Sequence, residues 1–130
     1  MRKRSILLSL LGSVALLGCS DSTGPGVEPE IRNIPDSFEF QVSELSGYSS
    51  TLTYNWSNSG VAANVNQSAA ITDGTARLVI LDAAGNQVYS RDLTENGTFV
   101  TTQGQAGSWK LRVVFSDASG TLNFRVQKRP

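Results

Sequence analysis

The chain has 130 residues, with 11 Lys and Arg, 11 Asp and Glu, no histidine and one cysteine. Its length and ordinary apolar content predict a single globular domain, and the lack of a basic excess argues against a nucleic-acid partner. Without histidine, the chain has neither a Ser-His-Asp nor a Cys-His catalytic arrangement, and no imidazole metal ligand.

The first eighteen residues have the pattern of a secretory signal. Three basic residues at positions 2 to 4 precede an apolar run from Ile6 to Leu17. A run of about a dozen residues is too short for a membrane-spanning helix, which needs roughly 20. We therefore predict a signal helix over residues 1–18 that is cleaved from the mature protein.

The only cysteine follows this apolar run directly. The segment Leu16-Leu17-Gly18-Cys19 resembles the lipobox of bacterial lipoproteins. The resemblance implies that the Cys19 thiol receives diacylglycerol, that cleavage leaves Cys19 as the new N-terminus, and that fatty acids such as palmitate anchor the chain. Two or three acyl chains would hold it on the membrane essentially permanently. As the only cysteine, Cys19 has no partner for an intramolecular disulfide. The remaining alternative to lipidation is a buried structural cysteine.

Residues 19–30 form the predicted lipidated cysteine and flexible tether. The sequence SDSTGPGVEPE after Cys19 is rich in Pro, Gly and acidic residues and has too little apolar surface to fold. Fully extended, these eleven residues reach at most about 35 to 40 Å, so the domain should stay close to its membrane. Because Ser20 rather than Asp follows the cysteine, the lipoprotein resemblance favours the outer membrane if the cell has one.

From residue 31 to residue 130, apolar and polar residues alternate as in half-buried β-strands. The alternation is clearest in SFEFQV (37–42), TLTYNWS (51–57), SWKLRVVF (108–115) and TLNFRVQ (121–127). The segment ARLVILDA (76–83) is apolar on both alternating faces and predicts a central strand that is covered on both sides. Turn residues recur at Asp73-Gly74, Asp82 to Asn86, Asn96-Gly97 and Asp117 to Gly120. We predict an all-β domain, an antiparallel, jelly-roll-like β-sandwich of about seven to eight strands.

Part of this strand and turn pattern is similar to a known family. Asp82 to Gly85, Gly107-Ser108-Trp109 and Gly120 to Phe124 match the outline of the pre-peptidase C-terminal-like β-sandwich modules of secreted bacterial proteins. The resemblance covers most of residues 36–127 and implies the fold rather than a function. Some of these modules have acidic residues at the start of a strand that could hold calcium. This chain has Ala76-Arg77-Leu78 at that place, which argues against calcium there.

Charge is unevenly distributed along the predicted tether and domain. Residues 20–76 contain one basic and seven acidic residues, whereas residues 77–130 contain seven basic and four acidic residues. Such an asymmetry either steers a charged partner or reflects pairing of charges between neighbouring strands.

Carboxylates offer two kinds of chemistry. A pair could hydrolyse glycosides, with candidates Glu39, Glu44, Asp73, Asp82, Asp92, Glu95 and Asp117. A calcium site could draw on Asp36, Asp73, Asp82 and Asp117. Most of these residues lie in or beside predicted turns, where Asp bonds its own backbone. We predict no catalytic site, no metal and no cofactor.

Aromatic residues are the candidates for ligand binding. Tyr54, Trp56 and Trp109 could stack on sugar rings, but each is in phase with aliphatic residues, which predicts core positions. Tyr89 instead alternates with Val88 and shares its predicted face with two polar side chains. We therefore predict an exposed ligand-binding set of Gln87, Tyr89 and Arg91.

These observations predict a lipid-anchored cell-envelope protein with a non-enzymatic binding module for a glycan or an envelope protein. The alternative is a structural envelope lipoprotein without a dedicated ligand, and a hydrolase is a more distant one. An exposed aromatic patch, or a concave sheet face lined by polar residues, would favour the binding module.

Overall fold

The computed structural model describes residues 27–130, which form seven β-strands. The strands are β1 (Glu30–Ile34), β2 (Ser37–Asn58), β3 (Ala63–Gln67), β4 (Ala70–Leu81), β5 (Gln87–Asp92), β6 (Gly97–Val100) and β7 (Gly107–Lys128). Every pairing between them is antiparallel. The predicted signal helix and Cys19 lie outside the described residues.

Two long strands organise the domain. β2 and β7 each have 22 residues and pair from Ser37 opposite Gln127 to Asn58 opposite Gly107. Register shifts between Val42 and Ser50 interrupt this ladder, and such shifts bend a strand pair. The first half of β7 also pairs with β4, and its second half pairs with β3. The bend therefore divides one continuous sheet into two layers.

The four-stranded layer has the order β5, β4, β7 and β2, with the first half of β7 and the second half of β2. The five-stranded layer has the order β1, β2, β7, β3 and β6, with the other halves of the two long strands. The two layers enclose one hydrophobic core. The predicted antiparallel β-sandwich is confirmed, and its seven strands agree with the predicted number.

Two of the predicted turns lie inside strands, so this prediction is wrong at both places. Asp73-Gly74 lies at a register shift within β4, and the segment from Asp117 to Gly120 lies at the bend of β7. Gly74 has a φ of 72°, and a Cβ atom there would overlap the carbonyl oxygen of Asp117. Turn-forming residues serve here to bend a continuous strand, because positive φ and close backbone approach are needed at a bulge as well as in a hairpin.

The core is built from the inward residues of the alternating segments. Each of the four clearest segments contributes large side chains that are almost fully buried. These include Phe38, Phe40, Trp56, Trp109, Leu111, Val113, Leu122, Phe124 and Val126. The predicted inward faces of these segments are therefore confirmed.

The segment predicted to be covered on both sides is covered on one. Leu78 and Ile80 on β4 are fully buried, whereas Val79 and Leu81 on its other face are half-buried. β4 is flanked by β5 and β7, but a two-layer sandwich packs only one face of each layer against the other. The other face of β4 is left on the outside of the four-stranded layer.

The packed part of the chain begins within the predicted tether. Val27 is partly buried and packs against the core, and β1 starts at Glu30. In residues 27–130, no helix has the length and apolar character that crossing a bilayer requires.

Candidate functional site

A groove of about 300 Å³ crosses the outer face of the five-stranded layer. β1, β2 and β7 lie side by side here, and outward side chains from the three strands meet in two rows. The first row is Arg32, Glu39 and Arg125, and the second row is Glu30, Gln41 and Asn123. We call this surface the polar groove.

The polar groove is rich in planar hydrogen-bonding groups. In the first row, Glu39 lies between Arg32 and Arg125 in the strand register, and Arg125 Nε is 3.8 Å from Glu39 Oε2. Both side chains are about half exposed, so this ion pair is weak and leaves hydrogen-bonding capacity for a ligand. The amides of Gln41 and Asn123 each add a donor and an acceptor. The surface can therefore both donate to and accept from a polar ligand.

Sequence reasoning found the parts of the polar groove but not the groove itself. The alternation predicted that Glu39, Gln41, Asn123 and Arg125 point outwards, and this is confirmed. It did not predict that they share one surface, nor that β1 adds Arg32 beside them. The register between strands brings these residues together, and alternation within a strand contains no register information.

Tyr89 was predicted to be exposed, and this is wrong. Its exposed fraction is 7%, and its hydroxyl donates a 2.7 Å hydrogen bond to Gln67 Oε1. Tyr89 lies opposite Ile80 and Gln87 lies opposite Leu81, so Val88 is an extra residue in β5. Such a bulge breaks the alternation, and Val88 and Tyr89 are both buried. Burial raises the pKa of Tyr89 to about 12.

The other two residues of the predicted ligand-binding set do not share an exposed face with Tyr89. Gln87 is exposed at the start of β5. The Arg91 guanidinium lies 3.9 Å from the ring centre of Phe99, and its Nη1 donates to Glu95 Oε1 at 2.8 Å. This arrangement covers the side of the sandwich where β5 and β6 are edge strands. The three residues therefore do not form the shared exposed face that was predicted.

The tryptophans occupy the core, as predicted. Trp56 and Trp109 meet edge to face, with ring centres 6.0 Å apart. Their indole nitrogens donate to the backbone oxygens of Ile34 and Gln105, at 3.2 and 2.7 Å. Tyr54 is half-buried and tilted against Phe38 and Phe40, and its burial raises the pKa of its hydroxyl. None of these rings is free to stack on a sugar.

Two carboxylates accept several hydrogen bonds each from nearby loops and turns. Asp82 Oδ2 accepts from the backbone N–H of Gln105, and Oδ1 accepts from those of Ala84 and Asn86, at 2.8 to 3.0 Å. These hydrogen bonds, that from Gln105 foremost, hold the pKa of Asp82 below its usual value. Asp36 accepts from the backbone N–H and the hydroxyl of Ser59, which likewise lowers its pKa.

The remaining carboxylate candidates are dispersed. Asp73 accepts from the N–H of Gly74, Asp92 accepts from Thr94, and Glu39 lines the polar groove. Within residues 27–130, no three Asp, Glu or Cys side chains are grouped closely enough to share a metal ion.

A second hollow of about 330 Å³ lies near the C-terminus. Its lining includes Val61 and Val100, which are 50% and 45% exposed, together with Arg129. Its lining has three side chains that can form hydrogen bonds, those of Thr101, Gln103 and Arg129, whereas the polar groove has six, so the polar groove is the better candidate site.

No family model matches the chain, and no curated protein matches it. Among similar solved structures, procruciferin, an 11S globulin from Brassica napus, is 12% identical with a TM-score of 0.36, over 71% of this chain and 20% of procruciferin. A chain in the structure of accessory secretory protein 1, 2 and 3 from Streptococcus pneumoniae is 11% identical with a TM-score of 0.41, over 82% of this chain and 91% of that one.

The arabinose-bound α-L-arabinofuranosidase MgGH51 is 14% identical with a TM-score of 0.37, over 78% of this chain and 22% of the enzyme. The chain thus spans about a fifth of procruciferin and of the arabinofuranosidase, and about nine-tenths of the secretory protein chain. These similarities carry no argument about function.

Proposed function

We propose that the protein is a lipid-anchored component of the bacterial cell envelope, and that its β-sandwich is a non-enzymatic module that binds a glycan in the polar groove. The observation that carries this proposal is the groove itself, in which three strands present two rows of polar side chains on one sheet face.

The chemistry of the polar groove favours a polyhydroxylated ligand. A sugar hydroxyl both donates and accepts hydrogen bonds, and the amides of Gln41 and Asn123 and the charged groups of Glu39 and Arg125 offer both functions. Among residues 27–130, no aromatic ring is among the large exposed hydrophobic residues, so binding would rest on hydrogen bonds rather than on ring stacking. Such binding is weak at each site and gains strength when many anchored copies bind one polymer.

The proposed anchor is the lipid on Cys19. It is supported by the short apolar run, by Gly18 before the cysteine and by the absence of a second cysteine. Ser20 after the cysteine favours the outer membrane in a cell that has one. Membership of the pre-peptidase C-terminal-like modules is part of the same proposal.

The test of the polar groove is retention on immobilised envelope glycans, including peptidoglycan fragments. We expect Gln41→Ala and Arg125→Ala to weaken retention several-fold. The matched control is Thr53→Ala, an exposed strand residue on the four-stranded layer. If the unchanged protein is not retained on any envelope glycan, the structural lipoprotein becomes the better account.

The anchor has its own test. Cys19→Ala should abolish the incorporation of labelled palmitate and leave the precursor uncleaved. Processing and acylation of the alanine variant would overturn the proposed anchor and leave the proposal for the groove unaffected.

A further inference from the structure

Three cations share the outer face of the four-stranded layer. Arg77 is on β4, and Lys110 and Arg112 are on the neighbouring strand β7. Arg112 lies opposite Val79, Lys110 lies opposite Leu81 and Arg77 lies opposite Val114, so each cation faces an aliphatic residue across the pairing of β4 with β7. Arg77 and Lys110 are exposed, and Arg112 is half-buried. We call this surface the cationic face.

Two of these cations have neutral hydrogen-bond partners. Lys110 Nζ donates to Asn55 Oδ1 at 2.9 Å, and Arg77 Nη1 donates to Ser90 Oγ at 3.0 Å. In the described part of the chain, the ion pairs within 4.0 Å all involve other cations. Asp92 lies opposite Arg77 on the same face, where it accepts from the backbone and the hydroxyl of Thr94. Its carboxylate offsets one of the three positive charges, so the face has a net charge of about +2.

This face contrasts with the rest of the domain. Residues 27–130 contain ten carboxylate and eight cationic side chains, so the domain as a whole is slightly acidic. Of the other five cations, Arg91, Arg125 and Lys128 each pair with a carboxylate. A positive face on an acidic domain orients that domain in the field of a negatively charged surface.

We propose that the cationic face lies on the anionic headgroups of the membrane that holds the protein. This inference rests on the proposed lipid anchor. The packed part of the chain begins at Val27, so the seven residues between Cys19 and Val27 keep the domain within about 25 Å of the bilayer. Each net positive charge near an anionic lipid surface strengthens the association by about fivefold, so a net charge of +2 strengthens it by about thirtyfold. Since the polar groove is on the opposite layer, docking of the cationic face turns the groove away from the membrane.

The described residues provide a matched pair of reporters for this orientation. Lys110 and Lys128 are the only lysines in residues 27–130. Lys110 lies on the cationic face, whereas Lys128 lies at the end of β7 in the five-stranded layer, 3.9 Å from Asp36. The full lipidated chain is reconstituted in vesicles of phosphatidylcholine, with or without about one-third phosphatidylglycerol. The acetylation rate of each lysine is then measured by mass spectrometry.

We expect acetylation of Lys110 to be about threefold or more slower on the anionic vesicles, with Lys128 unchanged. Arg77→Gln should reduce this protection, whereas Arg129→Gln, which removes the same charge elsewhere on the surface, should not. Salt at about 0.5 M should abolish the protection, because it screens exposed charges.

Equal rates for Lys110 on the two vesicle types would overturn the proposal. Protection of Lys110 by soluble dextran sulfate on neutral vesicles, without protection by phosphatidylglycerol, would also overturn it in favour of an anionic polymer. Flotation with neutral vesicles at high salt reports the lipid anchor separately. Loss of flotation would therefore contradict the proposed anchor. In that case, the protein is mixed at low salt with vesicles that contain or lack phosphatidylglycerol, and the acetylation rate of Lys110 still decides for or against the cationic face.

Discussion

The phenolic oxygen of Tyr89 lies 2.7 Å from Oε1 of Gln67 and joins the two layers of the sandwich. Tyr89 is on β5 in the four-stranded layer, and Gln67 is on β3 in the five-stranded layer. The Gln67 amide nitrogen donates to the backbone oxygens of Asp92 and Glu95, at 3.1 and 2.6 Å. A buried glutamine with all its polar atoms bonded therefore closes this side of the core.

Tyr89→Phe should destabilise the domain by about 1 to 3 kcal/mol, because it leaves the buried oxygen of Gln67 without a donor. Urea unfolding followed by circular dichroism measures this change. Gln87→Ala, an exposed change on the same strand, should stay within about 0.5 kcal/mol. Equal free energies of unfolding for Tyr89→Phe and the unchanged protein would contradict the structural role of this hydroxyl.

The free energy of unfolding should decrease at high pH, because the buried hydroxyl of Tyr89 titrates. Burial raises the pKa of Tyr89 to about 12 in the folded protein, from an ordinary value of 10.0. Between these values the unfolded chain loses the phenolic proton and the folded protein keeps it, so the free energy of unfolding decreases as the pH rises. Below pH 10 this contribution is fully present. Denaturant titrations from pH 9 to about 12 should give a shallower decline for Tyr89→Phe, and identical slopes would refute this account of Tyr89.

Trp109→Ala should be far more damaging. Trp109 is fully buried against Trp56, and removal of such a ring costs about 3 to 5 kcal/mol. Thr53→Ala, on the exposed outer face of the same layer, should change stability by less than about 0.5 kcal/mol. Thermal unfolding of both variants makes the comparison, and a mild effect of Trp109→Ala would contradict its place in the core.

Residues 27–130 should fold without the preceding segment, because they contain every strand and every core residue of the sandwich. We expect a β-type far-UV spectrum and a single cooperative melting transition for this fragment. Reducing agent should not matter, since the fragment has no cysteine. A fall of several degrees in the melting midpoint with EDTA would instead point to a calcium ion at the turn carboxylates.

Alternation within strands predicted most of the fold, because the core selects one face of each half-buried strand. It succeeded for the segments around Phe40, Trp56, Trp109 and Phe124, all of which point into the core. It failed at Tyr89, where an extra residue in β5 reverses the faces that strict alternation assigns. A bulge of this kind depends on the partner strand and has no clear signal in the residues themselves.

Prediction of the polar groove requires the register between strands, which the sequence of a single strand does not contain. Glu39 and Arg125 are 86 positions apart in the sequence and become neighbours through the register of β2 with β7. Arg32 joins them because β1 pairs with β2 in one particular alignment. Turn residues also misled the interpretation, since Asp73-Gly74 bends a strand where a hairpin was predicted.

The central claim is that the polar groove binds an envelope glycan, and an NMR titration of residues 27–130 with soluble peptidoglycan or envelope oligosaccharide fragments tests it most directly. The account predicts dose-dependent shifts that cluster on Arg32, Glu39, Gln41, Asn123 and Arg125, with Thr53 and Gln87 unaffected. Shifts that cluster on another surface, or no shifts with any of these glycans, would contradict it.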